Sequence, residues 1–132
     1  TIGGKPASEC LLEPTRIYVR PVLALLRETP VKGLAHITGG GLTENIPRIL
    51  PPGSAAEIDT STWQPGPVFE FLQEHGNIDT AEMRRTFNCG VGMVVVVADA
   101  DADRAIALLN AGGDAAWRMG RIVAGAQDVA YV

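Results

Sequence analysis

A histidine, a threonine and three consecutive glycines stand within one short stretch, Ala35-His36-Ile37-Thr38-Gly39-Gly40-Gly41. An imidazole can carry a proton near neutral pH, and glycines let backbone N–H groups approach a bound group closely. The amphipathic segment Leu42-Thr43-Glu44-Asn45-Ile46 follows at once. If it is helical, its first N–H groups lack internal acceptors and lie at the positive end of the dipole. Together these features describe a cradle for phosphate or another oxyanion at Gly39, Gly40 and Gly41, with His36 beside it as a proton carrier or a phosphate ligand. Each feature alone has a plainer reading, since glycine clusters turn chains and single histidines pack half-buried. Their adjacency, where an apolar run ends, favours chemistry.

A second stretch, Thr86-Phe87-Asn88-Cys89-Gly90-Val91-Gly92-Met93, puts a polar pair ahead of alternating glycines. The Asn88 amide can donate and accept, and the glycines permit close approach of a ligand or another backbone. A helix C-terminus explains the same residues equally simply. Cys89 could pair with His36 as a thiolate, but no nucleophile signature surrounds it, and a small buried apolar residue fits better. Asp99, Asp101 and Asp103 have the spacing of half a calcium loop without its glycine or terminal glutamate, and they read as solvated helix caps.

The elements that must position these residues follow from punctuation and periodicity. Thr1 to Glu13 reads as an extended opening segment, and residues 14–132 as a single α+β domain. Thr15 to Tyr18 is an extended lead-in to a helix from about Arg20 to Glu28, bounded by Pro21 and Pro30. Val31 to Thr38 is a strand, Gly39 to Gly41 a turn, and Leu42 to Leu50 a helix shortened or kinked by Pro47. Ala55 to Ile58 is a weaker strand. Pro67 opens a helix that His75-Gly76-Asn77 stops, and Asp79 caps another running from Thr80 to about Phe87. Four valines, Val94 to Val97, predict a central strand covered on both faces. Asp101-Ala102-Asp103 caps a helix reaching Asn110 before Gly112-Gly113. Ala116 to Val123 and Asp128 to Val132 read as two closing strands able to pair antiparallel. The expected architecture is helices packed on a mixed, largely antiparallel sheet.

Composition narrows the class. At 132 residues and 46% apolar content the chain can bury a real core, and its net charge of −4 with interspersed signs argues against nucleic acid or an anionic membrane as partner. The longest apolar run, Val91 to Ala98, is too short to span a bilayer, and no basic-then-apolar leader opens the sequence, so a cytoplasmic protein is expected. Two distant cysteines, Cys10 and Cys89, suit free thiols, and no spacing of metal ligands is present.

Three separated motifs also carry a resemblance. Pro14-Thr15-Arg16-Ile17-Tyr18-Val19, then Ala35 to Gly41 with Glu44-Asn45-Ile46-Pro47-Arg48, then Arg85-Thr86-Phe87-Asn88-Cys89-Gly90-Val91-Gly92-Met93 together resemble the aminoimidazole ribonucleotide synthetase family, the phosphoribosylformylglycinamidine cyclo-ligases of purine biosynthesis. The likeness runs from about Leu11 to Val132. It implies the carboxyl-terminal domain of a two-domain, ATP- and Mg2+-dependent enzyme that is a homodimer at full length. The family activates the formyl oxygen of formylglycinamidine ribonucleotide by phosphoryl transfer, and the amidine nitrogen then closes the ring, releasing ADP and phosphate. By the same likeness His36 is the catalytic candidate, Thr38, Gly39, Gly40, Gly41 and Asn45 line the nucleotide side, and Thr15, Arg16 and Asn88 face substrate. No metal ligand is assigned. Without the amino-terminal ATP-binding domain, the chain alone is expected to be inactive. Two alternatives remain open: a stand-alone anion- or nucleotide-binding module, and another ATP-dependent enzyme of the same two-domain superfamily.

Overall fold

The computed structural model describes residues 1–132. Two apolar runs, Val31–His36 (β1) and Met93–Val97 (β3), pair antiparallel with Leu34 opposite Val95 and His36 opposite Met93. Ser54–Ile58 (β2) is the middle strand of a second sheet, flanked by Gly120–Ala124 (β4) antiparallel and Val129–Tyr131 (β5) parallel. The architecture is α+β and largely antiparallel, with the strands divided between two sheets.

Three expectations are corrected here. The valine-rich strand is not central: it pairs only with β1, and four of its five residues are half-buried. A β-branched run signals a strand but not the number of its partners. The closing strands do not pair with each other. Gly125 N–H donates to the Gly53 carbonyl at 3.0 Å and Gln127 N–H to that of Ser54 at 2.9 Å, so the chain leaving β4 crosses the start of β2 and β5 runs along the far edge. The opening segment is not wholly extended, because Ala7–Leu11 forms a short helix (α1) and Ile2 is buried.

Helices follow their punctuation. Val19–Glu28 (α2) is anchored by Leu25, which is fully buried, and lies against Ala102–Ala111 (α6) with a Glu28–Arg104 ion pair at 3.1 Å. Pro67–Gly76 (α4) starts on proline and ends at Asn77, whose φ of 48° reverses the chain. The Asp79 carboxylate accepts the Glu82 N–H at 2.9 Å and caps Thr80–Thr86 (α5). Asp101 makes no such bond. A 3-10 turn over Asp99–Asp101 leads into α6, which starts at Ala102. Pro47 splits the segment after the glycines into Gly41–Asn45 (α3) and a 3-10 turn over Ile46–Ile49.

One core joins both sheets to α3. Ala35, Ile37, Leu42, Ile46, Ala56, Ile58 and Val94 belong to the same buried cluster. The turn between β1 and α3 is thereby tied on both sides, since burying Leu42 and Ile46 contributes about 2 kcal/mol each.

Candidate functional site

The glycine turn is held from within. Ile37 is buried and its N–H bonds the Gly92 carbonyl at 2.9 Å, after which the chain swings outward at Thr38 and Gly39. Gly40 and Gly41 adopt φ of 100° and 58°, a region costly for other residues. A methyl group on Gly41 would collide with the carbonyl oxygens of Arg84 and Phe87, so α3 begins hard against the end of α5 only because that residue has no side chain. Nothing lies within 4 Å of the space a side chain on Gly39 would take.

Asn45 organises this turn. It is 5% exposed, and its Nδ2 donates to the carbonyls of Gly41 at 2.8 Å, Gly39 at 3.2 Å and Thr38 at 3.3 Å. Its Oδ1 accepts from Arg48 Nη1 at 3.2 Å. Three carbonyls are drawn inward, and Gly41 N–H closes onto the Thr38 carbonyl at 3.0 Å. The N–H groups of Gly39, Gly40, Leu42 and Thr43 have no acceptor within the protein. Backbone N–H groups left free in succession are donors an oxyanion can use. The Thr38 hydroxyl is exposed and unpaired beside them, while the Glu44 side chain folds back over Gly40.

His36 ends β1 with its side chain exposed. Its ring meets the edge of Tyr18 at 6.0 Å between centroids and 65° between planes, and the Tyr18 hydroxyl rests against Gly92, where a side chain would clash. Burial pushes the Tyr18 phenol above its ordinary range, with the nearby Arg16 charge opposing.

The other expected site residues are placed differently. Arg16 Nη1 donates to Asp114 Oδ1 at 3.1 Å and to the Gly113 carbonyl at 3.4 Å, which turns its guanidinium toward the segment after α6. Thr15 is exposed with no hydrogen bond. Asn88 Oδ1 accepts the Gly90 N–H at 3.0 Å, and Val91 N–H bonds the Asn88 carbonyl at 3.0 Å. With φ positive at both Cys89 and Gly90, this is a tight turn of the primed type, so the pattern of asparagine and glycines serves the chain reversal into β3. The Cys89 thiol donates to the Met83 carbonyl at 3.4 Å and its own carbonyl accepts Trp63 Nε1 at 2.9 Å. The thiol's partner is thus a backbone carbonyl and not the His36 imidazole, and burial raises its pKa. Tyr18, Arg48 and Gly92 were not singled out from sequence as parts of the site. Tyr18 and Arg48 lie inside the motifs quoted above, and Gly92 was noted only as one of the alternating glycines.

A family model described as "AIR synthase related protein, C-terminal domain" matches residues 1–132. The chain belongs to this family. Among AIR synthase related proteins, it is similar to the phosphoribosylformylglycinamidine cyclo-ligases of Burkholderia ambifaria and Burkholderia vietnamiensis, each 56% identical over 119 residues, and of Burkholderia multivorans, 53% identical over the same length. Each alignment takes in 90% of this chain and 34% of the relative, so the chain spans about a third of the length of the relatives it matches. No helix is long and apolar enough to cross a membrane. No three His, Cys, Asp or Glu side chains converge as a cation cage.

Proposed function

We propose that this chain is the carboxyl-terminal part of an ATP-dependent phosphoribosylformylglycinamidine cyclo-ligase, which makes aminoimidazole ribonucleotide from formylglycinamidine ribonucleotide with release of ADP and phosphate. The names of its relatives support the choice of reaction. The observation that carries it is the turn itself, four backbone N–H groups without a protein acceptor that follow the exposed His36 closely in sequence.

In this reading the N–H groups of Gly39, Gly40, Leu42 and Thr43 hold the oxygens of the phosphoryl group in transit, with the Thr38 hydroxyl alongside. His36 takes the proton that the attacking nitrogen sheds as the carbon–nitrogen bond forms and phosphate departs. Tyr18 limits the swing of the imidazole. Asn45 and Arg48 keep the carbonyls turned away, so Asn45 acts on the nucleotide through the turn. The unused N–H groups of Arg16, with Thr15, contribute a phosphate contact at the margin, and Asn88 shapes the wall. Mg2+ arrives with ATP, and no step here is assigned to it. The amino-terminal domain supplies the other half of the cleft in a homodimer, and holding both reactants in register is a large part of the rate.

The test is turnover of the full-length enzyme with ATP and formylglycinamidine ribonucleotide, followed by ADP release. His36→Ala is expected to lower it on the order of 100-fold. Unchanged turnover removes His36 from the chemistry. This chain measured alone is expected to release no ADP, and turnover by it would overturn the two-domain reading.

A further inference from the structure

Asn77, Cys89 and Gln127 are the residues other than glycine that hold a positive φ. Asn77 ends α4 and Cys89 sits in the turn into β3, so a chain reversal accounts for both. Gln127, with φ of 60°, lies in the connection from β4 to β5. Asparagine tolerates this region and glycine takes it freely, whereas a longer side chain is strained there. Glycine would serve the bend better, so the glutamine side chain has work of its own.

That work is a pair of hydrogen bonds. Gln127 Nε2 donates to the Leu50 carbonyl at 2.8 Å and to the Pro47 carbonyl at 3.4 Å. These two oxygens belong to the end of the 3-10 turn over Ile46–Ile49, where Leu50 N–H also bonds the Pro47 carbonyl at 3.2 Å. A helical turn leaves its last carbonyls without internal donors, and Pro51 and Pro52 have no N–H to offer. The donor therefore comes from 77 residues further along the chain.

Between the two clamped carbonyls stands Arg48, whose Nη1 meets Asn45 Oδ1 at 3.2 Å, and Asn45 draws in the carbonyls of Thr38, Gly39 and Gly41. Tyr131 of β5 bonds the Thr43 hydroxyl at 2.7 Å, so one passage of chain grips the segment after the glycines at both ends.

We propose that Gln127 is a positioning residue for the glycine turn, on the reading of that turn as the holder of the phosphoryl group in transit. By clamping the carbonyls of Pro47 and Leu50 it sets the direction of Arg48, and through the Arg48–Asn45 pair it keeps the turn's carbonyls inward and its N–H groups free. Donors held still act where charge develops, so loosening them lowers kcat more than it weakens ATP binding.

Steady-state kinetics of the full-length enzyme with ATP and formylglycinamidine ribonucleotide test it, with urea unfolding of the same samples. Gln127→Gly removes the clamp and relieves the strained φ, so its unfolding midpoint is expected within about 0.3 M of the parent, while kcat falls on the order of 10-fold and KM for ATP stays within about twofold. Gln127→Glu keeps the outline of the side chain but turns a carboxylate toward two carbonyls, and it is expected to lose at least as much kcat. Arg48→Ala is expected to lose a similar factor, and Gln127→Gly added to it to lose little more, because the two act along one path. A loss in Arg48→Ala with Gln127→Gly at the parental kcat would overturn the proposal and leave the reading of the turn standing, as would losses that multiply in the double variant. Parental kcat in both single variants would overturn the two together. A fall in kcat seen only with a lower unfolding midpoint would also overturn the proposal, since a looser fold would then be the cause.

Discussion

Asn45 offers the sharpest test of how the turn is built. Replacing it with alanine removes the donors to the carbonyls of Thr38, Gly39 and Gly41 and strands the Arg48 guanidinium. Two amide hydrogens shared among three acceptors amount to about two good bonds, each contributing about 1 kcal/mol, and leaving carbonyls buried without a donor adds about 1 kcal/mol more. The loss is therefore about 3 kcal/mol. With a urea slope of about 1–3 kcal/mol per molar, the unfolding midpoint of Asn45→Ala falls by about 1–3 M. Asn45→Asp keeps the shape and loses the donors, facing a carboxylate toward three carbonyls, so it is expected to be at least as damaging as alanine. Equilibrium urea unfolding followed by tryptophan fluorescence reads both. A midpoint for Asn45→Ala within about 0.3 M of the parent, or Asn45→Asp stable as the parent, would refute the role of the amide as clamp.

The glycines separate by position. Gly41→Ala is expected to cost more than about 4 kcal/mol in urea unfolding, because its φ and the carbonyls of Arg84 and Phe87 both forbid a side chain, whereas Gly39→Ala should stay within about 1 kcal/mol of the parent. Thiol titration at neutral pH should modify Cys10 readily and Cys89 only on unfolding, since Cys89 is 6% exposed and burial holds its thiol protonated. Burial also raises the phenols of Tyr18 and Tyr131, the latter against the Thr43 hydrogen bond and the Arg84 charge. The folded state then binds more protons than the unfolded one as pH passes about 9 to 10, so stability should be level at neutral pH and fall above that window. Tyr131→Phe should flatten part of the fall in melting temperature.

Local chemistry was legible in the sequence where one residue decides the outcome. Pro67 and Asn77 bound α4, Asp79 caps α5, and Pro47 breaks the helix after the glycines, all as their residue types require. The turn at Gly39 to Gly41 and the imidazole before it were visible for the same reason. What could not be read was pairing. The valines of β3 announce a strand but not the number of its partners, and nothing local in Val129–Tyr131 tells a parallel partner from an antiparallel one. Asn45 was legible as important, but its direction depends on where three carbonyls end up after folding. Arg16 found Asp114 nearly a hundred residues away, a contact no spacing rule anticipates.

Tyr131 shares a hydrogen bond of 2.7 Å with Thr43, and the Arg84 guanidinium stacks over its ring at 4.5 Å from the centre. Thr43 in turn donates to the Arg84 carbonyl at 3.3 Å. One aromatic ring therefore touches both the helix that leaves the glycines and the helix behind it. The chain has two tyrosines, so Tyr18→Phe leaves a solitary phenol at this junction. Its ultraviolet tyrosinate band then becomes a built-in optical gauge, reporting whether α3 stays docked when an anion is added, without any attached dye.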